Sequence, residues 1–315
     1  MAVVAGIDEA GYGPRLGPLV VSAVAFELPD EAAACCLWER LADVVARSTR
    51  ERDRVAVDDS KRLFSQAKGL RHIERTALAF AGAAGVSAAT FRSLLAGVAE
   101  LGEEPESYPW YAGLDFAVPL AADAGQLRAD ADKLGAARGA RFVGVRALPV
   151  MVGEYNRMVD RAGTKSATLF HKTAELLTHL WQRWGEAGLT VHVDKHGGRN
   201  RYGLLLHQTF FGAGVKVLRE GRDESLYEVT DGRRRLAVGF YKGGDSRHLP
   251  VALASVFSKY LRELFMRGLN AWWAERVPGV RPTAGYAADA NRFLRDIGPA
   301  IGQLGVDPCR LVRIA

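Results

Sequence analysis

Cysteine is scarce in this chain, with three among 315 residues. Cys35 and Cys36 are adjacent and Cys309 stands far away, so neither a disulfide framework nor a CxxC metal knuckle is available; small buried thiols are expected. Long apolar runs are missing as well. The longest, residues 16–26, is broken by Gly17, Pro18 and Ser22, short of the roughly 20 apolar residues a membrane-spanning helix needs. The opening MAVVAGIDEA has no basic segment ahead of its apolar run and meets an acid at Asp8, which argues against a secretory signal. No internal repeat is evident. These absences point to a soluble cytoplasmic chain with no membrane partner. Apolar residues at 48% exclude intrinsic disorder, and the length allows one large domain or two modest ones.

Charge is present, and unevenly spread. The chain has 42 Lys and Arg against 36 Asp and Glu, a formal net charge of +6. Residues 195–247 alone hold eleven basic against six acidic residues, nearly the whole surplus. Such a segment suits a phosphate backbone, with binding that weakens as salt rises, or else forms a solvated charged face.

Residues 2–7 form a short β-branched run ending at Asp8-Glu9, followed by the glycine-rich loop GYGPRLGP and a second apolar run over 19–28. Two strands across a loop predict an antiparallel pair. Helical spacing of Leu37, Leu41, Val44 and Val45 predicts a helix over 31–49, and Ser65 is placed to cap another reaching about 82. Residues 86–138 alternate helical pieces with the loop EEPESYPWYAG. Strands are expected at 141–150, 189–193, 215–219, 226–230 and 236–241, the last two joined by the hairpin signal Asp231-Gly232. Helices are expected over about 153–184, 250–273 and 291–301. The order predicts an α/β fold with a mixed central sheet flanked by helices.

Three places bring an acid to the end of an apolar run: Asp8-Glu9, Asp194 closing HVD, and Asp245 after FYKGG. Any one alone reads equally as a cap or turn residue. Gathered in one cleft, carboxylates repel one another unless a cation compensates, and their hard oxygens select Mg²⁺ or Mn²⁺ over zinc. His192 and His196 stand four apart across a strand end, not along a helix, so a zinc site is not expected. GYGPRLG lacks the spacing of a dinucleotide fingerprint. Trp110 and Tyr111 are expected to cover an apolar patch rather than stack on a base.

These residues also carry a family resemblance. GIDEAGYGPRLGPLVVSAV resembles the opening of ribonuclease HII, DDSKRL its DSK segment, and KGGDSRHLPVALASVFSKYLRE its fourth-carboxylate segment and the helix after it. AGYAADANRF is similar to its Gly-Tyr turn, and CRLVRIA to the end of its core, all in the family's order. The resemblance implies an RNase H-like fold that cuts RNA in RNA–DNA hybrids, or at ribonucleotides in duplex DNA, as a monomer with two Mg²⁺ or Mn²⁺ ions. Asp8, Glu9, Asp194 and Asp245 would be the metal ligands and catalytic acids. Gly11 and Gly13 would present backbone N–H and C=O groups to a ribose 2′-OH and adjacent phosphates, with Tyr12 between them. Lys61 and Lys259 would bind phosphates, and Tyr286 would stack on a sugar or base. Residues 1–275 would form the catalytic domain, with an insertion at about 86–138, and 276–315 a substrate-contacting turn and helix.

The chain also departs from that pattern. Tyr12 stands where the family usually has Arg, Lys195-His196-Gly197-Gly198 follows the third acid where Gly is usual, and Ala287-Ala288 replace the Thr and His near Tyr286. These departures leave two alternatives: a hybrid-binding protein of the same fold with little or no turnover, or a metal nuclease for another nucleic acid.

Overall fold

The first two apolar runs become the middle of a seven-stranded sheet. Strands β1 (Ala2–Ala10) and β2 (Leu19–Leu28) pair antiparallel, Ala2 opposite Leu28 and Ala10 opposite Val20. The structure is a computed structural model that describes residues 1–30, 35–65, 67–103 and 105–314. Two-residue strands β3 (Val45–Ala46) and β4 (Val55–Ala56) pair with each other apart from the main sheet. The main sheet is completed by β5 (Arg141–Val150), β6 (Leu189–Asp194), β7 (Gly214–Glu220), β8 (Glu224–Thr230) and β9 (Arg235–Tyr241). Its order is β5-β2-β1-β6-β9-β8-β7. The β1–β6 and β6–β9 pairings are parallel and the others antiparallel, the mixed sheet that the sequence predicts.

Helices cover both faces, which explains why β1 and β2 are apolar almost throughout rather than alternating with polar residues. The period-2 pleat still divides them. Val4, Val20, Val24 and Phe26 point into one core with α10 (Leu249–Arg276), while Val3, Ala5, Ile7 and Val21 point into the other with α7 (Lys165–Trp184). The short helices α1 (Leu37–Arg40) and α2 (Ser60–Leu63) precede α3 (Arg71–Ala83), α4 (Phe91–Val98) and α5 (Ala124–Gly135) on the α10 side. Helices α6 (Val152–Ala162) and α8 (Gly203–Thr209) join α7 on the far side. The chain turns through α9 (Gly244–Arg247) into α10, then ends with α11 (Ala287–Gln303) and α12 (Pro308–Leu311), whose Phe293, Ile297 and Leu311 share the α10 core.

Trp110 and Tyr111 are core residues, as expected; Tyr111 meets Phe265 at 5.1 Å and Trp110 meets Trp272 at 6.1 Å. Three expectations need correction. The predicted helix over 31–49 starts in residues outside those described. Beyond them it is one turn, α1, because β-branched Val45 pairs with Val55 as strand instead. The helix expected from Ser65 begins at Arg71; Ser65 instead accepts the N–H groups of Lys68 and of Gly69, which stands at φ +65°. All three cysteines are exposed, Cys35 and Cys36 ahead of α1 and Cys309 in the first turn of α12, where Leu311 takes the inward face.

Candidate active site

Strand register decides which acids meet. Ile7 lies opposite Val193 on the parallel neighbour, so Asp8 and Asp194 follow side by side at the same sheet edge. Val191 and Val193 face the α7 core, which leaves Asp194 on the α10 face with Asp8. Asp194 accepts the Gly244 N–H at 2.7 Å, tying α9, and with it Asp245, to the end of β6. Gly243 makes that turn in the left-handed region, at φ +64°, and supplies the N-cap of α9.

The electrostatics of the cluster are those of crowded acids. Burial, then Glu9 and Asp194, push the Asp8 carboxyl well above the ordinary range, against hydrogen bonds from the Ser255 hydroxyl and the Glu9 N–H. Glu9 is raised to about 7 by burial and Asp194, and Asp194 to about 6 by burial and, against the Gly244 N–H, by Asp245. Asp245 is raised by burial and by Asp59. Lys61 is the cation in this field. Its own burial opposes its charge, but Asp59, Asp245, Asp8 and Asp194 outweigh that and raise it. Asp59 is thus a fifth acid of the cleft that sequence reasoning missed. Its signal was there in the doubled acid of DDSKRL, from which the resemblance drew only Lys61.

Among the described residues, no three His, Cys, Asp or Glu side chains stand close enough together to hold a metal ion as they are. The donor set nonetheless fits a hard divalent cation: carboxylate oxygens only, partly desolvated, with raised proton affinities that a cation would relieve. His192 pairs with His248 rather than with these acids. It stacks on His248 at 3.8 Å, and burial, then His248, lowers it to about 3.

The glycine loop follows directly from β1. Gly11 has φ +90°, and a Cβ there would meet the Pro18 carbonyl at 2.7 Å and the Arg262 side chain at 2.8 Å, so only glycine fits. The space about Gly13 is open. The Gly11 carbonyl accepts from Arg313 Nη1, so this acceptor is turned inward and not offered to a ligand. Tyr12 is half-buried against the α7 core and lies within the fields of Glu9 and Arg199.

The remaining predicted residues are Lys259 on α10 and Tyr286 at the start of α11. Lys259 pairs with Glu263 at 2.6 Å and sits 4.5 Å over the Phe64 ring, while Tyr286 is half exposed. Both line a cavity of about 480 Å³ between α10 and the turn before α11. The basic segment is largely paired: Arg201, Lys216, Arg219, Arg233, Arg234 and Arg247 each face a carboxylate. Arg199 instead donates to the Ser166 hydroxyl at 3.1 and 3.2 Å.

No protein-family model matches the chain, and no curated protein does. Solved structures do resemble it. Ribonuclease HII of Archaeoglobus fulgidus, solved in complex with PCNA, is 18% identical with a TM-score of 0.44, covering 99% of this chain and 94% of that one. Ribonuclease H2 of Pyrococcus horikoshii is 16% identical with a TM-score of 0.46, covering 98% and 92%. Bst ribonuclease HIII in complex with Mn²⁺ is 14% identical with a TM-score of 0.42, covering 99% and 66%. Among the described residues no helix is long and apolar enough to cross a membrane.

Proposed function

We propose that this chain is a divergent ribonuclease of the HII type, an endonuclease that hydrolyses RNA phosphodiester bonds in RNA–DNA hybrids or at ribonucleotides in duplex DNA. The reading is best supported by the β1–β6 register, which sets Asp8 beside Asp194, together with the Gly244 hydrogen bond that brings in Asp245. Those acids come from three separated segments, and each was singled out by the sequence motifs. Asp8, Glu9, Asp194 and Asp245 would hold Mg²⁺ or Mn²⁺; two such ions supply an activated water and a stabilised leaving oxygen in phosphodiester hydrolysis.

The rest of the chain prepares that site. Helix α10 lies over Asp8 through Ser255 and Ser258, and Lys61 offsets part of the acids' charge. The glycine loop would place the ribose-phosphate strand against the acids. Lys259 and Tyr286 would hold the flanking nucleotides in the cavity they share, with residues 276–315 as the substrate-contacting element.

Tyr12 in place of a loop cation favours one other reading, a hybrid-binding protein with little turnover. Incubating the chain with a labelled RNA–DNA hybrid, duplex DNA and single strands, with Mg²⁺ and then Mn²⁺, separates them. Cleavage confined to ribonucleotide-containing strands is expected. Binding without product under both metals establishes the second reading, and cleavage of duplex DNA establishes a nuclease for another substrate.

A further inference from the structure

Two arginines lie inside the protein directly beneath the glycine loop, and neither has a carboxylate to itself. Arg262 and Arg313 are 0% and 3% exposed. Arg262 Nη2 donates to the carbonyls of Leu16 at 3.1 Å and Ala284 at 3.0 Å. Its contact with Glu263, at 3.5 Å, falls on the same oxygen that Lys259 holds at 2.6 Å. Arg313 donates from Nε to the Gly17 carbonyl at 2.9 Å and from Nη1 to that of Gly11. Arg262 Nε and Arg313 Nη2 meet no acceptor among the described residues. Arg313 is itself firmly placed. Its N–H donates to the Arg15 carbonyl at 2.9 Å, and Asn156 clasps the backbone on either side of it, at Val312 and Ile314.

This arrangement fixes which way the loop faces. In a trans peptide the C=O and the following N–H point in opposite directions. With the Gly11 carbonyl drawn inward to Arg313, the Tyr12 N–H is turned outward. Neither it nor the Gly13 N–H donates to any acceptor among the described residues, and the space beside Gly13 is open. Behind these donors lie two desolvated guanidinium groups, Arg262 sharing the Glu263 carboxylate with Lys259 and Arg313 lying over the Tyr155 ring at 4.6 Å. Burial, then the charge of Arg262, pulls Arg313 down to about 9.

We propose that Arg313, backed by Arg262, is a positioning residue: by holding the Gly11 carbonyl inward it keeps the Tyr12 N–H turned toward the strand phosphate that the glycine loop is expected to meet. The loop's chemistry stands on its own; naming the phosphate's carrier rests on the nuclease reading above. The charge that no side chain supplies between Gly11 and Gly13 is supplied from below.

Two measurements test this. Titrating inorganic phosphate into the wild-type protein and following backbone amide resonances should shift Tyr12 and Gly13 saturably; unmoved amides at those two positions overturn the proposal, whatever any variant does. In an Asp8→Asn background, Arg313→Met should weaken hybrid binding about tenfold, the worth of a charge-assisted bond. Arg313→Lys, which keeps the charge but loses the fork, should fall between. Unchanged hybrid affinity in folded Arg313→Met, with only its melting temperature lowered, reduces Arg313 to a structural role and overturns the proposal. Should the nuclease reading alone fail, phosphate still shifts the two amides while the wild type neither binds nor cuts hybrid.

Discussion

Glu74 and Asp8 are both buried carboxylates, Asp8 with half-buried Glu9 and Asp194 beside it, yet their surroundings are opposite. Glu74 is 0% exposed and accepts the N–H groups of Leu120, Ala121 and Ala122 at 2.6–2.7 Å, plus the Tyr260 hydroxyl at 2.9 Å. Its charge is answered by four donors, and the result is a rivet that fastens the segment between α4 and α5 to α3 and α10. Asp8, Glu9 and Asp194 instead have one another as their closest company, with few donors and a single lysine in range. A buried carboxylate rich in donors maintains architecture; under the proposed function, carboxylates crowded by carboxylates would take their answering charge from a cation.

Exchanging each acid for its amide should break this comparison most sharply. Asp8→Asn is expected to lower hybrid cleavage by about 10³-fold or more, roughly 4 kcal/mol of barrier, while raising the stability of the metal-free protein by relieving repulsion. Glu74→Gln should do the reverse. It sets an amide NH₂ against backbone donors, costs about 3 kcal/mol of stability, and leaves cleavage in the folded fraction intact. Urea unfolding beside initial-rate assays reads both; equal signs in the two variants would erase the distinction.

A smaller effect should appear with pH. Glu9 is raised from 4.5 to about 7, by burial first and Asp194 second, so the folded chain keeps a proton there that the unfolded chain releases. Its contribution to stability is therefore fully present below about 4.5 and lost as pH rises through about 7. Buried neutral His192 and His248 act the other way, losing stability as pH falls below their ordinary value. The useful quantity is thus the melting difference between wild type and Glu9→Gln without divalent ions. It should widen in favour of the variant from pH 5 to 8 and shrink when Mn²⁺ is added.

The smallest effect concerns Tyr12. Tyr12→Arg would add a cation above the loop to the two arginines beneath it, and cleavage at a single ribonucleotide within DNA should rise a few-fold relative to a run of four, since neighbouring riboses already offer alternative registers. Equal ratios in wild type and variant would show that position 12 does not govern substrate choice.

The strands were legible because burial on both faces writes itself as continuous β-branched runs: the bounds read for 19–28 and 141–150 are those of β2 and β5. The acids were legible because each interrupts such a run at its end. What pattern alone could not convey is register, since nothing in the sequence says that Ile7 stands opposite Val193. Arg262 and Arg313 were illegible for a different reason. A guanidinium that donates to carbonyls inside the fold is spelled like one in water, and only the carbonyls it finds reveal it. The cysteines misled because small apolar side chains are usually buried, whereas Cys35 and Cys36 precede a one-turn helix and Cys309 lies on the outer side of another.

Gly6 has a mechanical consequence. A Cβ at that position would lie 2.2 Å from the backbone of Pro250, so α10 rests on the strand with no side chain between them. That contact works as a spacer of zero thickness two residues before Asp8, and it lets Ser258 reach both the Asp8 carbonyl and the Ser22 hydroxyl. Any side chain there would act as a shim, tilting the helix off the sheet and prising the cleft apart at its root while every acid stayed in place.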